Sequence, residues 1–158
     1  MKSFVVLSSS ARQTRNIGTE LGKLAGAGDI FLLVGPLGAG KTCLTQGIAR
    51  GLGIHEYTAS PSFVLVREYQ GKLPLYHIDL YRLDRLEEVT QLGLDDYFSG
   101  NGVCVVEWAD KGLDVFPHEH LLIEIEIISS LKRKLKFMPT GKRYSEILLK
   151  LKNKGAKK

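Results

Sequence analysis

Residues 29–34 read Asp-Ile-Phe-Leu-Leu-Val and pass without a break into Gly35-Pro36-Leu37-Gly38-Ala39-Gly40-Lys41-Thr42. An apolar run with no alternation is the pattern of a strand buried on both faces, which belongs inside a parallel sheet. The octet after it matches G-x-x-x-x-G-K-[ST], and Leu44, Ile48 and Leu52 then mark one stripe of a helix that Gly51 and Gly53 end. Strand, glycine-rich loop and helix in that order form an anion nest, because glycines let backbone N–H groups turn inward at a helix N-terminus. In such a nest Lys41 reaches β- and γ-phosphates and the Thr42 hydroxyl ligates Mg²⁺.

The rest of the chain supplies further elements. Phe4–Leu7 is a short apolar run ended by Ser8-Ser9-Ser10, where a serine can cap the next helix. Ile17, Leu21, Leu24 and Ala25 recur at helical spacing up to Gly26 and Gly28. Residues 63–69 and 73–80 predict a hairpin across Gln70-Gly71-Lys72, and residues 121–128 and 132–137 a second one across Ser129-Ser130. Asp84 with Glu87 resembles a capping box for a helix over 85–92. Val103–Val106 is another fully apolar strand, and Tyr144, Ile147, Leu148 and Leu151 share one face of a helix over 142–152. Helices and strands alternate early and strands pair late, which predicts an α/β fold with a mixed sheet.

Two strand-end carboxylates can complete a phosphate site, Asp79 after Leu75–Ile78 and Glu107 after Val103–Val106. Ligands of open α/β sheets lie at the carboxyl ends of strands, so both residues point to the nucleotide, and periodicity leaves their roles interchangeable. The base-reading N-K-x-D pattern of guanine-specific proteins is missing, since Asn153-Lys154 is followed by Gly155-Ala156, which favours ATP. His77 reads as a hydrogen-bonded orienter beside Asp79 rather than a proton shuttle, and Trp108 as packing rather than base stacking. Arg82 and Arg85 fit phosphoryl charge stabilisation and surface pairs with Glu87 or Glu88 equally well.

Charge and composition narrow the classes. The chain has 158 residues and a net charge of +5. Residues 131–158 hold 11 Lys and Arg against the single Glu146, leaving 11 basic and 16 acidic side chains in residues 1–130. The basic segment alternates with apolar residues and carries no aromatic stacking pattern. It fits either a solvated terminus or a surface that meets RNA phosphates. No apolar run reaches membrane-span length and no signal-peptide core is visible. Cys43 and Cys104 are in no ligand-spaced pair and sit in apolar runs, so neither a disulfide framework nor a redox pair is expected; the expected location is cytoplasmic, away from membrane and DNA.

Four spaced motifs coincide with one family. Gly35–Thr42, Ser60-Pro61-Ser62-Phe63, Tyr76-His77-Ile78-Asp79-Leu80-Tyr81-Arg82-Leu83 and Glu107-Trp108 appear in order between about Ser10 and Phe137. In this the chain resembles the TsaE (YjeE) family, ATPases required for threonylcarbamoyladenosine modification of tRNA at position 37. The resemblance implies a P-loop NTPase-like three-layer fold with a mixed, partly antiparallel central sheet. It implies slow, Mg²⁺-dependent ATP hydrolysis and action with the partner proteins TsaB and TsaD, with tRNA met indirectly or through the basic C-terminal segment. Lys41, Asp79 and Glu107 then carry catalysis, and Thr42 and Glu107 bind the metal. The nucleotide is bound by Gly35, Pro36, Leu37, Gly38, Ala39, Gly40, Lys41, Thr42 and Cys43, by Ser60 and Ser62 of a switch segment, and by Trp108. Ser10 and Thr14 contribute from the N-terminal segment and Arg133 from a late strand near the base.

Two positions depart from the family pattern. Ser62 stands where Thr is usual, and Pro36 replaces a common acidic residue. On this reading residues 1–140 form the ATPase domain and residues 141–158 a basic helix and tail attached to it. A small-molecule kinase or a nucleotide-switched RNA-binding module are the alternatives, and the middle of the chain lacks the arginine-rich lid a kinase needs.

Overall fold

In the computed structural model, described for residues 3–56 and 65–154, seven strands form one sheet. The strands are β1 (Phe4–Ser8), β2 (Ile30–Val34), β3 (Val66–Tyr69), β4 (Leu75–Asp79), β5 (Val103–Glu107), β6 (His120–Ile127) and β7 (Arg133–Thr140). Their spatial order is β1-β7-β6-β2-β5-β4-β3. The inner four, β6, β2, β5 and β4, run parallel, and antiparallel partners close both ends. The sheet is thus mixed and partly antiparallel, and both expected hairpins form as β3–β4 and β6–β7.

Continuous apolar runs became central strands because both their faces are covered. Phe31 and Leu33 of β2 enter a core with helices α1 (Ala11–Leu24), α2 (Lys41–Gly51) and α5 (Lys142–Asn153), while Ile30 and Leu32 enter a second core. That second core holds the short helices α3 (Leu86–Thr90) and α4 (Asp95–Phe98) and a pair of 3₁₀ turns over residues 109–115. Three layers therefore stack over the sheet centre, the arrangement of a P-loop NTPase-like fold. On the β1–β7 side no described helix covers the second face, and Val5 and Leu7 stay exposed.

Local chemistry sets the helix ends. Ser10 caps α1 by accepting from the Gln13 N–H at 3.1 Å, and Gln13 Oε1 accepts from the Ser9 N–H at 2.6 Å. The cap of α3 lies one residue later than the Asp84–Glu87 spacing predicts. Glu88 reaches back to the N–H groups of Asp84 and Arg85, both at 3.0 Å, and these two bonds hold its carboxyl below the usual range. Helix α4 has no counterpart in the sequence pattern, because four residues with no fully buried side chain leave no periodic trace.

Helices α1 and α2 pack with backbone nearly touching backbone. A Cβ on Gly47 would lie 2.1 Å from the Arg15 carbonyl oxygen, and one on Gly18 would lie 2.4 Å from that of Leu44. This close crossing sets the N-terminal end of α1 beside the glycine-rich loop. At the other end of the core, α5 is tied to the start of β2. Arg143 makes a two-armed pair with Asp29 at 2.7 and 3.0 Å, and the Tyr144 hydroxyl accepts from the Ile30 N–H at 2.9 Å.

Candidate nucleotide-binding site

The carboxyl ends of β2, β5 and β4 lie side by side, with Leu33 and Asp79 each opposite Glu107. Their continuations enclose a cavity of about 400 Å³ lined by residues 37–43 with Asp79, Tyr81, Glu107 and Trp108. The loop enters α2 through Gly40, whose φ of +111° is open to glycine and strained for other residues. The first N–H groups of α2 have no carbonyl in their own helix, so this end of the cavity favours an anion.

Lys41 is 5% exposed, and its ammonium donates to the carbonyls of Gly35 at 2.5 Å and Pro36 at 2.9 Å. It also lies 3.9 Å from the centroid of the Trp108 ring. Burial lowers its pKa below the ordinary lysine value, against the pull of Glu107, Asp110 and Asp79. Trp108 itself adopts a left-handed backbone, φ +59° and ψ +38°, and its ring packs against Tyr81 at 5.0 Å.

Glu107 is 2% exposed and fully engaged. The Thr42 hydroxyl donates to its Oε1 at 2.9 Å, Thr45 Oγ1 lies 3.4 Å from Oε2, and His77 Nε2 lies 2.6 Å from Oε2. Asp79 is buried on the same side of the sheet and accepts from the Tyr81 N–H at 2.9 Å. His77 is hydrogen-bonded, as expected, and its partner is Glu107 rather than the neighbouring Asp79. Residues two apart on one strand stand nearly 7 Å apart, whereas the parallel pairing of β4 with β5 sets Glu107 on the diagonal from His77.

The cation fit follows from this donor set. Among the described residues no cluster of three or more His, Cys, Asp or Glu side chains could hold a metal alone. A threonine hydroxyl beside one carboxylate, at the mouth of an anion nest, is what Mg²⁺ accepts when phosphates and water complete its octahedron. The pair Thr42 and Glu107 fits that ion.

A second cavity of about 260 Å³ adjoins the loop, walled by Ala11, Thr14, residues 38–40, Cys43, residues 130–131 and Arg133. Arg133 clamps the loop from outside, donating through Nε to Ala39 at 3.0 Å and through Nη2 to Gly38 at 3.2 Å. Thr14 holds its place through a buried 2.7 Å contact with the Ser8 hydroxyl. Ser10 does not line this cavity; its hydroxyl is used as the cap of α1. Ser60 and Ser62, with the rest of the Ser60–Phe63 motif, lie outside the described residues. Sequence reasoning missed Ser8, Thr45 and Tyr81 as contributors. Thr45 had a usable signal, because it lies one turn beyond Lys41 on the same helix face.

Burial pushes the Cys104 thiol up to about 12; the half-buried Cys43 thiol is also raised and donates to the Ala11 carbonyl at 3.1 Å. The basic segment is partly internal. Arg133 holds the loop, Arg143 holds Asp29, and Lys154 lies 3.7 Å from Glu20. Lys134 and Lys136 sit opposite Glu126 and Glu124 across the β6–β7 pair. Among the described residues no helix is long and apolar enough to cross a membrane.

A glycine-rich loop between a buried parallel strand and a helix, with a strand-end carboxylate beside its threonine, defines a nucleotide-binding protein of the phosphate-loop class. Residues 8–135 match the family model described as threonylcarbamoyl adenosine biosynthesis protein TsaE. The chain belongs to the TsaE family. It is 42% identical over 145 residues to the tRNA threonylcarbamoyladenosine biosynthesis protein TsaE of Bacillus subtilis, covering 91% of this chain and 90% of that one. The protein of the same name from Treponema pallidum is 40% identical over 129 residues, covering 82% and 96%. The crystal structure of Bacillus subtilis YdiB superposes with a TM-score of 0.86 at 37% identity, covering 98% of this chain and 97% of that one.

Proposed function

We propose that this protein is a cytoplasmic Mg²⁺-dependent ATPase of tRNA threonylcarbamoyladenosine synthesis, acting on the modification of position 37 together with TsaB and TsaD. The observation that carries the reading is the Thr42–Glu107 contact at the mouth of the loop. It supplies the two protein oxygens that a phosphate-bound Mg²⁺ requires, and the relatives' names supply the pathway.

The roles follow from position. Backbone N–H groups of residues 38–42 receive the phosphates, and Lys41 leaves the Gly35 and Pro36 carbonyls to meet the β- and γ-oxygens. Thr42 and Glu107 would hold Mg²⁺, whose charge would offset that of the phosphates. Asp79, on the neighbouring strand, accepts a hydrogen bond from the attacking water. The smaller cavity between Thr14, Cys43 and Arg133 takes the adenosine. Such a site works by positioning and charge stabilisation, and no in-cis arginine is assigned to the γ-phosphate, so turnover by the chain alone is slow.

The test measures ATP hydrolysis by the purified chain alone, with TsaB and TsaD, and with tRNA added. Lys41→Ala and Glu107→Ala are expected to abolish turnover while keeping the native melting profile. Wild-type rates in both variants would overturn the assignment.

A further inference from the structure

The two oxygens of Glu107 are not equivalent. Oε2 is taken by His77 Nε2 at 2.6 Å and lies 3.4 Å from Thr45 Oγ1; the Thr42 hydroxyl stands nearer Oε1, at 2.9 Å, than Oε2, at 3.2 Å, and Oε1 has no histidine on it. His77 has no solvent exposure, and its Nδ1 has no hydrogen-bond partner among the described residues. A carboxylate only accepts, so the ring proton of this contact sits on Nε2. The imidazole is therefore a fixed, single-armed donor whose one hydrogen bond ends on the carboxylate oxygen that stands farther from the Thr42 hydroxyl.

We propose that His77 is a positioning residue for the cation site: its Nε2–H pins Oε2 of Glu107 and so presents Oε1, beside Thr42, as the metal-ligating oxygen. A carboxylate on a freely turning side chain offers either oxygen, or both, and binds a small octahedral ion poorly. Three elements converge to remove that freedom: β4 brings His77, β5 brings Glu107 and α2 brings Thr42 and Thr45. Outer partners that orient a ligating group are commonly worth about 10–100-fold in metal affinity. The inference rests on the reading of Thr42 and Glu107 as the cation pair, and its test separates the two.

Mn²⁺ binding to the ADP-loaded protein is followed by electron paramagnetic resonance in wild type, Glu107→Gln, His77→Gln and His77→Asn. The glutamine amide reaches the place of Nε2 and the asparagine amide only that of Nδ1, so the two histidine variants differ in where the donor stands. Glu107→Gln should lose Mn²⁺ binding, His77→Asn should weaken it at least about 10-fold, and His77→Gln should stay within about threefold of wild type. If Glu107→Gln binds Mn²⁺ like wild type, the cation pair itself is wrong and His77 falls with it. If Glu107→Gln loses binding but His77→Asn does not, the cation pair stands and the role of His77 is overturned. Equal losses in both histidine variants also overturn it, because the donor position would then be irrelevant. A readout on unaltered protein stands beside these: the long-range ¹H–¹⁵N spectrum should show the His77 proton on Nε2, and a bare Nε2 overturns the proposal.

Discussion

The Lys41 ammonium lies beneath the Trp108 ring, 3.9 Å from its centroid, while donating to two carbonyls of its own loop. The arrangement depends on the left-handed backbone of Trp108, which for a bulky residue costs on the order of 1–3 kcal/mol. The strained turn thus sets an indole against the lysine of the glycine-rich loop.

On the function proposed above, phosphate binding is expected to draw Lys41 off both carbonyls and away from the ring. Trp108 is the chain's one tryptophan, so its emission reports that movement directly. Adding Mg²⁺ and ATP is expected to shift the emission of the wild-type protein. Lys41→Ala should alter the ligand-free spectrum and remove the response. Identical emission with and without saturating ATP would show that the lysine keeps its ligand-free contacts.

The α1–α2 crossing makes a second expectation. Gly47→Ala puts a methyl 2.1 Å from a carbonyl oxygen of α1, backbone against backbone, so the helices must separate. Overpacking of this kind costs about 1–3 kcal/mol, which lowers the melting temperature by roughly 2–4 °C per kcal/mol in a chain of this size. Thr14 rides on α1, so ATP affinity should fall in the same variant. A variant that melts and binds as wild type does would mean that the helices are not held at this distance.

Stability at alkaline pH depends on Tyr144. Burial raises its pKa from about 10 to about 12, so folding favours the neutral phenol. That contribution is fully present below pH 10 and is lost as pH rises through 12, because the unfolded chain releases the proton first. Tyr144→Phe leaves the Ile30 N–H buried without its acceptor and is expected to cost about 1–3 kcal/mol at neutral pH. Denaturant midpoints measured between pH 8 and 12 check both points. The wild-type advantage over Tyr144→Phe should shrink above pH 10, and an advantage that grows there would reverse the sign argued here.

What could be read from the residues was whatever is contiguous along the chain. The strand, loop and helix of residues 30–51 lie in one stretch, so the anion nest was legible in outline, and so were Asp79 and Glu107 as strand ends. The partner of His77 was not, because it depends on β4 lying beside β5, and strand order leaves no local trace. Arg133 is placed near the base only through the family resemblance; its hold on the Gly38 and Ala39 carbonyls spans more than 90 residues and leaves no local trace. Of the glycines of α1 and α2 only Gly51 was legible, as a helix stop. Their reason is the other helix's backbone, which only the fold supplies.

Strand β2, which feeds the phosphate loop, has both of its neighbours far downstream: Ile30 pairs with Cys104 and Phe31 with Leu121. At a translation rate of about 5–20 residues per second, the apolar segment Ile30–Val34 waits roughly 4–15 s for its first partner. Through that interval the ribosome carries a sticky, unpaired strand with no nucleotide site to stabilise it. The cavity beside the glycine-rich loop, which Glu107 and Trp108 help to line, can form only after β5 has emerged.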